Sequence, residues 1–105
     1  MPQLDQSFTQ LLAINQGLSR AFPNGDNIFQ TMTRLLEECG ELAEQVHIFE
    51  DSGVKRAKHG PPNKQKLAKE IQDVLRCALQ VAVHYDALAE LEQSIAYSHS
   101  KMTGS

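Results

Sequence analysis

Apolar residues recur every three or four positions along most of the chain, which is the spacing of amphipathic helices rather than of strands. Two segments rich in proline and glycine, "FPNGDN" and "SGVKRAKHGPPNK", interrupt this pattern. The uninterrupted stretches predict four helices, over residues 4–21, 28–51, 64–85 and from about 87 to 102. The fold is therefore predicted to be all-α, a four-helix bundle in one domain that covers residues 1–105.

Polar residues before two of these helices are candidate N-caps. Either Asp26 or Asn27 is expected to cap the second helix, and Asp86 to cap the last one, because their short side chains accept hydrogen bonds from the first free backbone N–H groups.

The composition narrows the class of function. A chain of 105 residues with a net charge of −3 is a poor general binder of nucleic acids or of anionic membranes. Because no apolar run approaches the length of a membrane span and the start lacks a signal-peptide pattern, a cytoplasmic location is expected. A chain this short buries only a modest core alone, which favours a homo-oligomer.

Acidic residues are concentrated in the second predicted helix, in the segment "LLEECGELAEQV". At 100° per residue, Glu37, Glu38 and Glu41 share an arc of about 100°. This arc lies roughly opposite the apolar stripe, so the helix taken alone is also compatible with a plain solvated face.

A second acid pair, Glu70 and Asp73, lies three residues apart in "KEIQDVL" of the third predicted helix. Glu70 borders that helix's apolar stripe, where a carboxylate is costly unless it is paired or binds a cation. If the second and third helices pack antiparallel, the two acid groups face each other, and no lysine or arginine is expected among them to balance their charge. Oxygen-only ligands of this kind favour Mg²⁺ or Mn²⁺ over zinc.

The pattern EExxE followed by ExxD resembles the signature of the MazG-like, all-α nucleoside triphosphate pyrophosphohydrolases. The resemblance implies a tight dimer, or a dimer of dimers, that binds Mg²⁺ through Glu38, Glu41, Glu70 and Asp73. It implies hydrolysis of a (d)NTP to the monophosphate and pyrophosphate, in nucleotide-pool house-cleaning. Glu37, which matches the first family acid, is the candidate to orient or deprotonate the attacking water, or to hold another metal.

The predicted loop between the two acidic helices holds the main basic concentration of the chain, including Lys55, Arg56 and Lys58. A lid that contacts the substrate phosphates is one interpretation, and a charged loop in water is the other.

The chain departs from the family pattern at positions that bear on recognition of the nucleotide base. Members often carry an aromatic residue four positions after the ExxD aspartate, whereas this chain has Cys77. The first helix, which in the family helps to hold the base or sugar, offers Phe8, Gln10, Asn15 and Phe22 but no readable code.

Two other functions stay open. Phosphoribosyl-ATP pyrophosphohydrolase is a relative of similar length, although its motif helices typically read differently from "GELAE" and "DVLRCA". A non-catalytic helical interaction module is the second alternative, against which the complete set of motif acids argues.

Overall fold

The computed structural model of the protein describes residues 4–23, 27–51 and 60–104, and within them it is all-helical. The four helices are α1 (Leu4–Ala21), α2 (Ile28–Phe49), α3 (Lys64–His84) and α4 (Leu88–Thr103). The predicted fold class is confirmed for this part of the chain, with helix ends that move by no more than two residues.

Asparagine side chains begin the two central helices. The Asn27 side chain accepts a hydrogen bond from the backbone N–H of Gln30 at 2.9 Å, so Asn27 caps α2. Asn63 caps α3 in the same way, accepting from the N–H groups of Gln65 and Lys66 at 2.9 and 3.1 Å.

The predicted cap on the last helix is wrong. Ala87 occupies the N-cap position of α4, and no side chain caps that end. Asp86 instead lies in the turn after α3 with a φ of 53°, in the left-handed region that aspartate tolerates better than most residues.

Helices α2 and α3 pack antiparallel and form the centre of the fold. Near the end of α2, Phe49 lines a pocket together with Leu67 from the first turns of α3. About two turns earlier in α2, Glu41 approaches Glu70, which lies further along α3. This opposite order of contacts places the acidic segments of both helices side by side.

The buried core is small and partly polar. Among the described residues the buried apolar side chains are Leu11, Ile48 and Cys77, of which Cys77 is the most enclosed at 2% exposure. The second cysteine, Cys39, is exposed.

Asn15 joins α1 to α3 inside this core. It is 5% exposed, and its side-chain Nδ2 donates to the backbone carbonyl of Arg76 at 2.9 Å. This contact fixes the position of one helix on the other, because a buried amide that lost its partner would be costly.

Helix α4 packs loosely and has no buried residue. An apolar groove of about 600 Å³ runs between α3 and α4 and is lined in part by Phe8, Leu75, Leu91 and Ile95. No helix in the described ranges is both long enough and apolar enough to cross a bilayer.

Candidate active site

Three glutamates from the two central helices meet at one point. Glu38 and Glu41 of α2 and Glu70 of α3 each present a ligand atom, and these atoms lie within 4.8 Å of one another. We call these three residues the carboxylate triad. The antiparallel packing of α2 on α3 creates it, because Glu38 and Glu41 lie 60° apart on one helix face.

Burial perturbs two of the three carboxyl groups. Burial raises the pKa of Glu70 to about 7, and the neighbouring Glu41 and Glu38 side chains add to this effect. Burial also raises the pKa of Glu38, and repulsion from Glu41 and Asp73 adds to it. The Oε2 atoms of Glu38 and Glu70 are enclosed and have no hydrogen-bond partner within the described part of the protein.

Asp73, the fourth predicted acid, is held by cations. The Lys69 ammonium donates to both carboxylate oxygens of Asp73, at 2.7 and 2.9 Å, and Arg76 Nε lies 3.7 Å from one of them. Asp73 is therefore a separate neighbour of the triad in this structure, although its charge still reaches Glu38. The expectation that no cation lies among the acids was wrong, because one helical turn brings Lys69 onto Asp73.

The remaining predicted site residues lie apart from the triad or beyond the described ranges. Glu37 is exposed on α2 and does not belong to the triad. Lys55, Arg56 and Lys58 fall in residues 52–59, outside the described part of the chain.

Comparison with known protein families gives a match to this chain. A sequence model of the MazG nucleotide pyrophosphohydrolase domain matches residues 27–104, which is more than half of the chain and includes both acidic motifs. The chain belongs to the MazG family. No curated protein and no solved structure matches it. Membership supports nucleotide pyrophosphohydrolase activity in general terms.

The donor set of this MazG domain fits a divalent cation. Three carboxylates whose ligand atoms lie within 4.8 Å repel one another, and two of their oxygens are enclosed without a donor among the described residues. A hard cation relieves both conditions, since it supplies positive charge and takes oxygen ligands. The family typically uses a divalent metal, and the acids present here can hold one.

Two arginines near the triad of the MazG domain were not predicted as site residues. Arg34 of α2 and Arg76 of α3 line a pocket of about 250 Å³ with residues of α1. Their spacing from the motif acids could have revealed them in the sequence. Arg34 precedes Glu38 by four residues, and Arg76 follows Asp73 by three. On a helix these spacings put each arginine one turn from an acid.

Proposed function

We propose that this protein hydrolyses a nucleoside triphosphate, (d)NTP, to the monophosphate and pyrophosphate with Mg²⁺, or Mn²⁺ in its place. The observation that carries the proposal is the carboxylate triad, in which Glu38, Glu41 and Glu70 gather within 4.8 Å. A site of concentrated negative charge repels a triphosphate, so it suits such a substrate only when a cation stands between them.

The triad and Asp73 are the proposed metal ligands. For Asp73 to join the other three, its hydrogen bonds from Lys69 must open. The Lys69 side chain is 60% exposed, so its ammonium can turn into solvent, or toward a substrate phosphate, without a large desolvation cost. When bound, Mg²⁺ neutralises charge on the phosphates and polarises the phosphoryl group.

Glu37 is the proposed general base. It lies on the same side of α2 as Glu41, one helical turn earlier, and it is exposed to water. Its carboxylate would accept a proton from the attacking water, whose oxygen bonds to the α-phosphorus. The bond from that phosphorus to the bridging oxygen then breaks, and pyrophosphate leaves. Lys55, Arg56 and Lys58 are proposed to contact the departing phosphates.

A homodimer or homotetramer is the proposed assembly. The groove between α3 and α4 is apolar, and several of its side chains stay exposed, among them Ile95 at 58%. A second copy of this chain would cover that surface, in agreement with what the family resemblance implies. The proposed context is a cytoplasmic nucleotide pool.

The direct test is a panel of nucleotides. We expect Mg²⁺-dependent pyrophosphate from at least one ribo- or deoxyribonucleoside triphosphate, and no activity in EDTA. Orthophosphate as the primary product would contradict the proposal. A preference for phosphoribosyl-ATP would favour that alternative, and no product from any nucleotide with either metal would favour a non-catalytic module.

Two variants of the same helix test the assignment of residues. Glu38→Gln removes an anionic ligand at nearly constant volume and should abolish turnover while helical circular dichroism is kept. Glu44→Gln makes the same change on the same helix outside the triad and should stay substantially active. Loss of activity in Glu44→Gln but not in Glu38→Gln would contradict the proposed site. Glu37→Gln should lower kcat by about 10²- to 10⁴-fold if Glu37 is the general base.

A further inference from the structure

The arginine pocket lies directly beside the proposed metal site. Arg34 is about 6 Å from Glu38 along the axis of α2, and Arg76 is about 5 Å from Asp73 along α3, since an α-helix rises 1.5 Å per residue. A nucleotide whose phosphates lie at the carboxylate triad can therefore extend its nucleoside end into this pocket. The cavity, about 250 Å³, suits a single ring system rather than a whole nucleotide.

Two guanidinium groups line this pocket, together with the polar side chains of Asn15, Ser19 and Gln80. A guanidinium carries five N–H donors and no acceptor, and the side chains of both Arg34 and Arg76 line the cavity. Arg76 is fixed in place, because its Nη1 donates to Asn15 Oδ1 at 3.4 Å while its Nε faces Asp73. These two contacts leave further N–H groups of Arg76 for a ligand.

The other side of the pocket is apolar. Leu18 and Phe22 line it, and Phe22 is 65% exposed, so an aromatic face is open for stacking. A phosphate gains nothing from such a surface, whereas a flat base can stack on it while its edge meets the arginines. The two sides together match a planar ring with acceptors along one edge.

We propose that Arg34 and Arg76 make this enzyme selective for 6-oxopurine nucleotides, an inference that rests on the proposed function. The O6 and N7 atoms of a 6-oxopurine are adjacent acceptors, which arginine binds in a bidentate manner. Adenine presents the N6 amine beside N7, and cytosine presents the N4 amine. Either amine would face the two guanidinium groups, which accept no hydrogen bond, and would have to turn to Ser19 or Gln80 for an acceptor. Selectivity thus comes from the two motif helices rather than from α1 alone.

The test compares kcat/KM for pyrophosphate release from GTP, ITP, ATP, UTP, CTP and 7-deaza-GTP. GTP and ITP should exceed ATP and CTP by roughly 10- to 100-fold, the value of one good bidentate contact. Loss of N7 in 7-deaza-GTP should lower kcat/KM in the wild type. In Arg34→Gln or Arg76→Gln the advantage of GTP over both ATP and 7-deaza-GTP should shrink at least fivefold. Arg20→Gln, an exposed arginine of α1, is the matched control and should keep the wild-type ratios.

Binding gives a readout that is independent of turnover. Calorimetry with α,β-methylene GTP and α,β-methylene ATP should show the same preference, and Arg34→Gln should reduce it even if Arg76→Gln disturbs the fold. Equal use of GTP and ATP by the wild type, or a preference that survives both arginine variants, would overturn the inference. So would an equal loss of inorganic tripolyphosphate binding in those variants, which would assign the pocket to phosphate. If no nucleotide yields pyrophosphate, the proposed function fails, and the calorimetric preference alone then decides the base selection.

Discussion

The Lys69 ammonium lies 2.7 Å from one carboxylate oxygen of Asp73 and 2.9 Å from the other, so this lysine neutralises the aspartate one helical turn away. Three residues before Asp73, Glu70 has an enclosed oxygen with no such partner in the described structure. Of the two acids of this motif, Asp73 is therefore paired with a cation, whereas Glu70 has an enclosed oxygen that no cation among the described residues balances. Removing the charge from each should have opposite effects on stability.

Asp73→Asn should destabilise the metal-free protein by about 1.5 to 3 kcal/mol, the range for hydrogen bonds to charged groups. The Asp73 side chain is only 12% exposed, so water replaces its lost partners poorly. Urea denaturation in EDTA measures the difference. Asp86→Asn, in the exposed turn after α3, is the control and should be near neutral because asparagine also tolerates a positive φ. Stability equal to the wild type in Asp73→Asn would mean that the Lys69 contact contributes nothing.

The metal-free protein should lose stability as the pH rises from about 4.5 to about 7. The pKa of Glu70 is raised from 4.5 to about 7 in the folded state, so over this range the folded protein binds more protons than the unfolded chain. Stability falls with pH wherever that holds. Thermal melts in EDTA at several pH values give the slope, and Glu70→Gln should flatten it.

At pH values above 7, Glu70→Gln should have a higher Tm than the wild type. Glu70→Gln removes a charge from an enclosed, repulsive site, and a gain of about 1 kcal/mol corresponds to roughly 4–8 °C in a domain of this size. A Glu70→Gln protein that melts below the wild type at pH 8, or keeps its full pH slope, would contradict the raised pKa.

Mg²⁺ should stabilise the folded protein specifically. A ligand that binds only the folded state contributes about 2.7 kcal/mol at a hundredfold excess over its dissociation constant. Melts with MgCl₂ and with NaCl of equal ionic strength separate binding from screening, and Glu38→Gln should lose most of the Mg²⁺ effect. If NaCl reproduces the shift, the triad is only a solvated acidic surface.

Asn15→Ala should cost about 1 to 3 kcal/mol, because it removes a buried side chain that both donates to the Arg76 carbonyl and accepts from the Arg76 guanidinium. Gln16→Ala, the exposed neighbour on the same helix, should change the free energy of unfolding by less than about 0.5 kcal/mol. Equal effects of the two substitutions would show that the contact does not hold α1 on α3.

Ile95→Glu should convert an oligomer into a monomer. Ile95 lies in the apolar groove between α3 and α4, and a charge there opposes burial by a second copy. Sedimentation velocity at micromolar concentration measures the change. Gln93→Glu, on the opposite face of α4, should leave the assembly intact. A wild-type protein that is already monomeric would contradict the proposed dimer.

Helix positions were predictable because apolar periodicity reports which face of each helix is covered. The pattern gave residues 4–21 for α1, which is where the helix begins and ends. The meeting of Glu38 and Glu41 with Glu70 also followed, since motif spacing and antiparallel packing together bring them to one point. The ends of the helices were harder to predict than their positions. The N-cap predicted at Asp86 was wrong, because Asp86 lies in a turn with a positive φ and Ala87 takes the N-cap position instead.

Partners of individual side chains were not predictable from the pattern. The sequence contains Lys69 and Asp73 at a spacing that allows an ion pair, but the same spacing also allows both to face water. The arginine pocket depends on where α1 lies against α2 and α3, and periodicity does not determine that placement. Such features require coordinates, because they depend on rotamers and on helix packing.

The unequal burial of the two cysteines has a practical consequence for work on this protein. Burial raises the pKa of the Cys77 thiol and shields it from reagents, so in the native state it resists alkylation. Cys39 is exposed and adjoins Glu38 in the chain. A maleimide fluorophore or nitroxide added to the unmodified native sequence would therefore attach next to the carboxylate triad, giving a reporter of ligand arrival without any engineered residue.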